Sequence, residues 1–177
     1  MSNVKMQNVR LSFPSLFRHE EFGGESTGKY AATFVLDKKD HASTIEAIEK
    51  EMQRLQKEEL KGKVAANKLA LKDGDELGRP EFEGKMTIKA STKRRPTVIN
   101  RDKSPLTEED EVVYAGCYVN AIISLWAQNN QYGKRVNASL EGVQFARDGE
   151  PFGAAGVSVD EFDAFETPED EDFDPFA

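Results

Sequence analysis

Hydrophobic and polar residues alternate along five stretches of the chain, and in one further stretch apolar positions recur every three or four residues. Alternation marks a strand with one buried face; the longer spacing marks an amphipathic helix. In "VKMQNVRLSF" (4–13), Val4 and Met6 share one face, and Val9, Leu11 and Phe13 follow in the other phase. A bulge near Asn8 reconciles the two phases. "KYAATFVL" (29–36) aligns Tyr30, Ala32, Phe34 and Leu36. "KMTIKAST" (85–92) turns Met86, Ile88 and Ala90 one way and Lys85, Thr87, Lys89 and Ser91 the other. "EVVYAGCYVNAIISLWAQ" (111–128) is the strongest strand signal, "NNQYG" reads as a turn, and "KRVNASLEGVQFAR" (134–147) as the hairpin partner.

Between the second and third strands, Ile45, Ile48, Met52 and Leu55 fall at helical spacing. Asp40 or Ser43 suits the N-cap, and Gly62 suits a stop at the C-terminal end. Such a helix packs its apolar stripe on the domain. "FGGESTG" (22–28) reads as a loop and residues 63–84 as irregular. There Asp73, Asp75 and Glu76 fit an Asp-Gly turn better than a metal site. The sum is mainly β with one helix (β + α), a small antiparallel barrel or sandwich.

Along 113–125 the odd positions are all apolar, so they form the core face. The even positions include Tyr114, Tyr118 and Trp126. Flat rings on an open sheet face stack nucleobases, although aromatics are also common strand formers that lie under a loop. The neighbouring segment adds charge. Lys85, Lys89, Lys93, Arg94, Arg95, Arg101 and Lys103 stand against one acid, Asp102, and Lys134 and Arg135 extend the basic strip at the hairpin. Lys5, Arg10 and Lys29 have less support. Cations for phosphates beside rings for bases are what a single-stranded nucleic acid requires.

Composition sharpens the picture at one end. The chain has 32 acids against 24 Lys and Arg. Nine of the acids, and no base, lie in residues 160–177, which leaves 23 acids against 24 bases before them. A slightly basic body thus carries an acidic segment, either solubilising or directed at a basic surface. The expected boundary puts a domain at 1–157 and a disordered tail at 158–177, too poor in apolar groups to offset ordering entropy.

Other chemistries lack their residues. There is no phosphate-loop or dinucleotide fingerprint, no Cys/His spacing for zinc, and the two histidines, His19 and His41, have no partnered nucleophile. The single Cys117 lies on the core face, which suits an inert thiol in a reducing cytosol. No apolar run reaches the length of a membrane span. The residues point to no catalytic site, metal or cofactor. RNA against DNA and homo-oligomer formation stay open, as does the rival reading of a non-catalytic assembly protein with a shielding tail.

The stretches "VYAGCYVNAIISLWA" (113–127), "VRLSFPSLF" (9–17), "KYAATFVLDKKD" (29–40), "LKDGDE" (71–76) and "LEGVQFARDGEPFG" (140–153) together resemble a family of single-stranded-DNA-binding proteins of tailed bacteriophages. The resemblance implies an OB-fold with an inserted helix, and a sequence-non-specific role in phage DNA replication, recombination or repair in the bacterial cytoplasm. It also makes Asp170, Glu171, Asp172, Phe173, Asp174 and Phe176 the part of an acidic tail that recruits replication and recombination proteins. Here "DFDPFA" sets Ala177 after Phe176, where the bacterial peptides end in Pro-Phe.

Overall fold

Strand registers turn the alternation into a core. The computed structural model describes residues 2–78, 80–131 and 133–151; the expected tail, 158–177, lies outside the described residues. The strands are β1 (Ser2–Ser15), β2 (Glu21–Phe22), β3 (Glu25–Ser26), β4 (Tyr30–Asp37), β5 (Leu71–Asp73), β6 (Lys85–Thr92), β7 (Thr97–Ile99), β8 (Tyr118–Asn130) and β9 (Gly133–Arg147), with helix α1 (Ala42–Glu58) between β4 and β5. One rung reads Leu71–Ile88–Phe34–Leu11 across β5, β6, β4 and β1, and all four residues are buried.

The ladders β6–β4, β4–β1, β1–β8 and β8–β9 are antiparallel, and β6 meets β9 in parallel at Ser91 and Ser139. That contact closes five strands into a barrel, to which β5 and β7 add at β6 and β9. The result is an OB-like fold, mainly β with a single helix among the described residues. Ile45, Ile48, Met52 and Leu55 of α1 are all buried and join the barrel core, against β1, β8 and β9. No helix of the described residues is long and apolar enough to cross a membrane.

The bulge expected near Asn8 is present: the β1–β8 register shifts between Met6 and Val9, and Asn8 has φ 55°. Three expectations need correction. The 111–128 strand begins only at Tyr118, because residues 114–117 form a turn with Gly116 at φ 111°. The segment 148–151 crosses that turn so closely that a Cβ on Gly116 would run into the Glu150 carbonyl. At the helix start, neither Asp40 nor Ser43 caps; the Asp37 carboxylate accepts from the backbone N–H groups of Lys39 and Asp40 at 2.9 and 3.0 Å, and His41 flanks the first turn. At its end the left-handed residue is Lys61, not Gly62. Within the irregular stretch, Leu71–Asp73 pairs with β6, and Lys38 bridges Asp73 and Asp75 at 2.8 Å each.

Candidate nucleic-acid interface

One residue along from the buried rung, the same registers give an outward rung. It reads Lys72–Thr87–Val35–Arg10–Tyr118–Arg147, through β5, β6, β4, β1, β8 and β9. Six strands span about 24 Å at the usual strand spacing. Val35 and Thr87 form a buried floor, while Lys72 and Arg147 stand exposed at the two ends. A second rung, Ser12–Thr33–Lys89, runs beside it.

Two grooves flank this face. At the β8 start, a cavity of about 510 Å³ is lined by Arg10, Asp37, His41, Lys85, Tyr118 and Arg147, among others. The Arg147 guanidinium stacks 3.8 Å from the Tyr118 ring centroid and its Nε donates to the Asn8 side chain at 3.1 Å. Asn8 in turn donates its backbone N–H to Asn120 Oδ1 at 2.9 Å. The bulge thus sets Asn8 where its side chain accepts from Arg147 while its backbone N–H donates to Asn120. Arg10 Nε donates to the Gly116 carbonyl at 3.1 Å and a second guanidinium nitrogen donates to the Glu150 carbonyl.

At the other end a groove of about 370 Å³ runs between β6, β9 and residues 67–72. Trp126 lies in its wall with Lys29, Lys68, Lys72, Lys89 and Arg135, and no acidic residue lines it among the described residues. β6 joins the two grooves. Its outward side chains, Lys85, Thr87, Lys89 and Ser91, lead over about 20 Å from one to the other.

The basic segment of 85–103 is thus divided. Lys85 faces the Tyr118 groove, where its Nζ lies 2.8 Å from Asp37. Lys89 faces the Trp126 groove and pairs with Glu20 at 2.7 Å. Lys93, Arg94 and Arg95 are exposed in the turn after β6, and Arg95 donates to the Phe17 carbonyl. Arg101 and Lys103 lie beyond β7, with Arg101 over the Phe145 ring at 5.6 Å. Lys134 donates to the Leu60 carbonyl at 2.8 Å, whereas Arg135 lines the Trp126 groove.

Of the three expected rings, Tyr118 and Trp126 share the outward face of β8. Tyr114 does not join them. Its hydroxyl donates to Asp148 or Gly149 and accepts the Gly149 N–H, and burial pushes its pKa up. Cys117 is fully buried and burial raises its thiol pKa. Sequence reasoning passed over Arg147, Lys68 and Lys72. Arg147 comes opposite Tyr118 only through two register shifts in β9 that the sequence pattern does not show; Lys68 and Lys72 sit in a stretch with no periodicity to place them.

A family model described as "Enterobacter phage Enc34, ssDNA-binding protein" matches residues 2–174. The chain belongs to this family. "Putative protein p50" of Acyrthosiphon pisum secondary endosymbiont phage 1 is 39% identical over 180 residues, covering 96% of this chain and 97% of that one. The single-stranded DNA-binding protein from bacteriophage Enc34, solved in complex with ssDNA, superposes with TM-score 0.76 at 38% identity, over 85% of this chain and 89% of that one. The single-stranded DNA-binding protein gp2.5 of bacteriophage T7 shares the fold at TM-score 0.52 and 12% identity, over 93% and 99% of the two chains. The bacteriophage single-stranded-DNA-binding family expected from the sequence stretches is the one found.

Proposed function

We propose that the chain binds single-stranded DNA without sequence preference, along the outward face of β6 from the Tyr118 groove to the Trp126 groove. The observation that carries this reading is the second groove: five cations and one ring, with no acidic residue among the described residues that line it. Phosphates meet Lys29, Lys68, Lys72, Lys89 and Arg135, and bases stack on Trp126 and on Tyr118. Arg147 already stacks on Tyr118, and Arg10 and Gly149 also lie against the ring, so a base stacks there by displacing the Arg147 guanidinium. An OB-type face of this kind holds roughly 4–16 nucleotides. The Enc34 protein's complex with ssDNA supports the choice of DNA.

The acidic segment 160–177 serves as an internal competitor in this reading. It resembles DNA in charge, and its four phenylalanines, Phe162, Phe165, Phe173 and Phe176, resemble bases in flatness. Displaced by DNA, it becomes available to replication and recombination proteins in the bacterial host cytoplasm, with Asp170–Asp174 and Phe176 as the contact.

The test is titration with oligo-dT at two salt concentrations. Trp126 is the single tryptophan, so its fluorescence reports directly on stacking. We expect quenching, and a log affinity that falls linearly with log salt. Each single-strand phosphate contact contributes about 0.7 to that slope, so Lys68→Ala with Lys72→Ala should flatten it by about 1.4. Unchanged fluorescence at saturation removes Trp126 from the site, and an unchanged slope removes the two lysines. Tighter binding of oligo-rU than of oligo-dT would favour an RNA partner.

A further inference from the structure

The wall of the Trp126 groove carries amides as well as cations. On β8, Trp126 and Gln128 stand two positions apart and share the outward face, while Leu125 is fully buried on the inward one. On β9, Asn137 sits between Val136 and Ala138, both buried, and so also faces out. The register places Asn137 directly opposite Trp126, and Arg135 opposite Gln128. All four residues line the groove. Asn is depleted in strands, so propensity does not account for its place in this long ladder.

The amides form a chain that fixes their orientation. Asn137 Nδ2 donates to Gln128 Oε1 at 2.8 Å, and Gln128 Nε2 donates to Asn130 Oδ1 at 3.2 Å. Gln128 thus engages both ends of its carboxamide, and Asn137 engages only one. Among the described residues, no group donates to Asn137 Oδ1. A half-buried acceptor is therefore held in place beside the ring. The Cβ atoms of a cross-strand pair lie about 5 Å apart, so the polar edge of a base lying on the indole comes within reach of the Asn137 amide. Every natural base carries an N–H donor on its Watson–Crick edge: the ring N–H of thymine and guanine, the amino group of adenine and cytosine. An acceptor at this point suits them all, and it meets the edge that pairing in a duplex would cover.

We propose that Asn137 is a base-edge contact: its Oδ1 accepts a hydrogen bond from the Watson–Crick edge of the base stacked on Trp126. This inference rests on the single-strand-binding reading above and deepens it at one point of the path. Trp126 holds the base by its face and Asn137 holds it by its edge. The contact favours an unpaired base over a paired one. It adds no dependence on salt, because Asn137 carries no charge.

The test compares oligo-dT with the same oligomer built from N3-methylthymidine, in which the donor is gone and the stacking face is kept. A hydrogen bond of this kind is worth about 2- to 12-fold in affinity. We expect methylation to weaken binding to the unmodified protein by about two-fold or more at equal salt. Asn137→Ala should weaken oligo-dT binding by a similar factor and abolish the difference between the two oligomers. The salt slope and the quenching of Trp126 at saturation should stay as in the parent. Equal affinity of the unmodified protein for both oligomers overturns the proposal, and that measurement needs no variant to fold. A variant that binds oligo-dT as tightly as the parent overturns it as well. So does a variant that binds more weakly yet loses as much on methylation as the parent, which would make Asn137 a structural support only. The unmodified protein also separates the two readings. If it does not bind oligo-dT, or binds it without quenching Trp126, the functional reading fails; if Trp126 is quenched and methylation costs nothing, only this inference does.

Discussion

At the scale of the residue, Asp37 governs how free Lys85 is to meet a phosphate. Lys85 lies 2.8 Å from its carboxylate, and the N–H groups of Asp40 and Lys39 complete its shell. The Lys85 hydrogen bond first, and those N–H groups next, hold the Asp37 carboxyl well below the usual carboxylate range. A carboxyl whose folded pKa lies below its unfolded value of about 3.9 stabilises the fold above that value. The stabilisation is lost as pH falls from there towards the folded pKa. Asp37→Asn should therefore melt about 2–4 °C below the parent at pH 7, the size expected of a partly exposed pair. Between pH 4 and pH 2.5 the difference should shrink. Melting curves at pH 7 and pH 2.5 check this, and equal gaps would mean that the ion pair is not the source. Lys85, Lys89, Tyr118 and Trp126 were legible in the sequence, because period two fixes which face a strand residue takes. The neighbours that make the site were not. Asp37 reaches Lys85 through register, and Arg147 reaches Tyr118 through a hairpin whose β9 strand carries two extra residues. Phe13 shows the opposite error: alternation buries it, and a one-residue bulge turns it out.

At the scale of the element, the base of the small β2–β3 hairpin sets a carboxylate against β6. Glu20 is tied at its base by two backbone bonds, from its N–H to the Lys29 carbonyl at 2.7 Å and from Thr27 N–H to its own carbonyl at 2.8 Å. His19 packs edge-on against Tyr30 with centroids 4.7 Å apart. Glu20 thus holds its carboxylate on Lys89 at 2.7 Å, where the proposed reading needs a phosphate. DNA must break that pair before Lys89 can contribute. An exposed pair is worth about 0.2–1 kcal/mol, so Glu20→Gln should tighten oligo-dT binding by up to about five-fold at low salt, and less at high salt. Weaker binding in the variant would assign Glu20 a supporting role instead. The sequence showed a turn-rich loop at 22–28 but not its ladder, because two-residue strands have no periodicity to read. For the same reason β5 was hidden within 63–84. The long elements were legible where their pattern ran uninterrupted, as in β6 and α1. In 111–128 it failed only at the start, where the alternation of Val113, Ala115 and Cys117 continued through a turn imposed by the crossing of Gly116 and Gly149.

At the scale of the whole molecule, charge is divided between a body that is slightly basic and a segment, 160–177, that holds nine acids and no base. A tethered segment has an effective concentration near the millimolar range, so contacts far too weak to matter between separate molecules compete here. In the proposed reading its targets are the cations that DNA uses: Lys29, Lys68, Lys72, Lys89 and Arg135. Competition of this kind has a particular dependence on salt. Removing the competitor strengthens binding most where electrostatics are least screened, and the advantage fades as the Debye length contracts from about 30 Å at 0.01 M to about 10 Å at 0.1 M. Deleting residues 160–177 should therefore tighten oligo-dT binding at low salt and steepen the salt dependence, since DNA then displaces counterions rather than a covalently attached polyanion. A solubilising segment predicts something different: equal affinity at every salt concentration and a lower solubility limit. The decisive variant keeps the charge and removes the rings, with Phe162, Phe165, Phe173 and Phe176 all changed to Ser. If the rings occupy stacking sites, this variant should bind DNA more tightly than the parent and less tightly than the deletion. If it matches the parent, charge alone competes, and the phenylalanines are left to serve partner proteins.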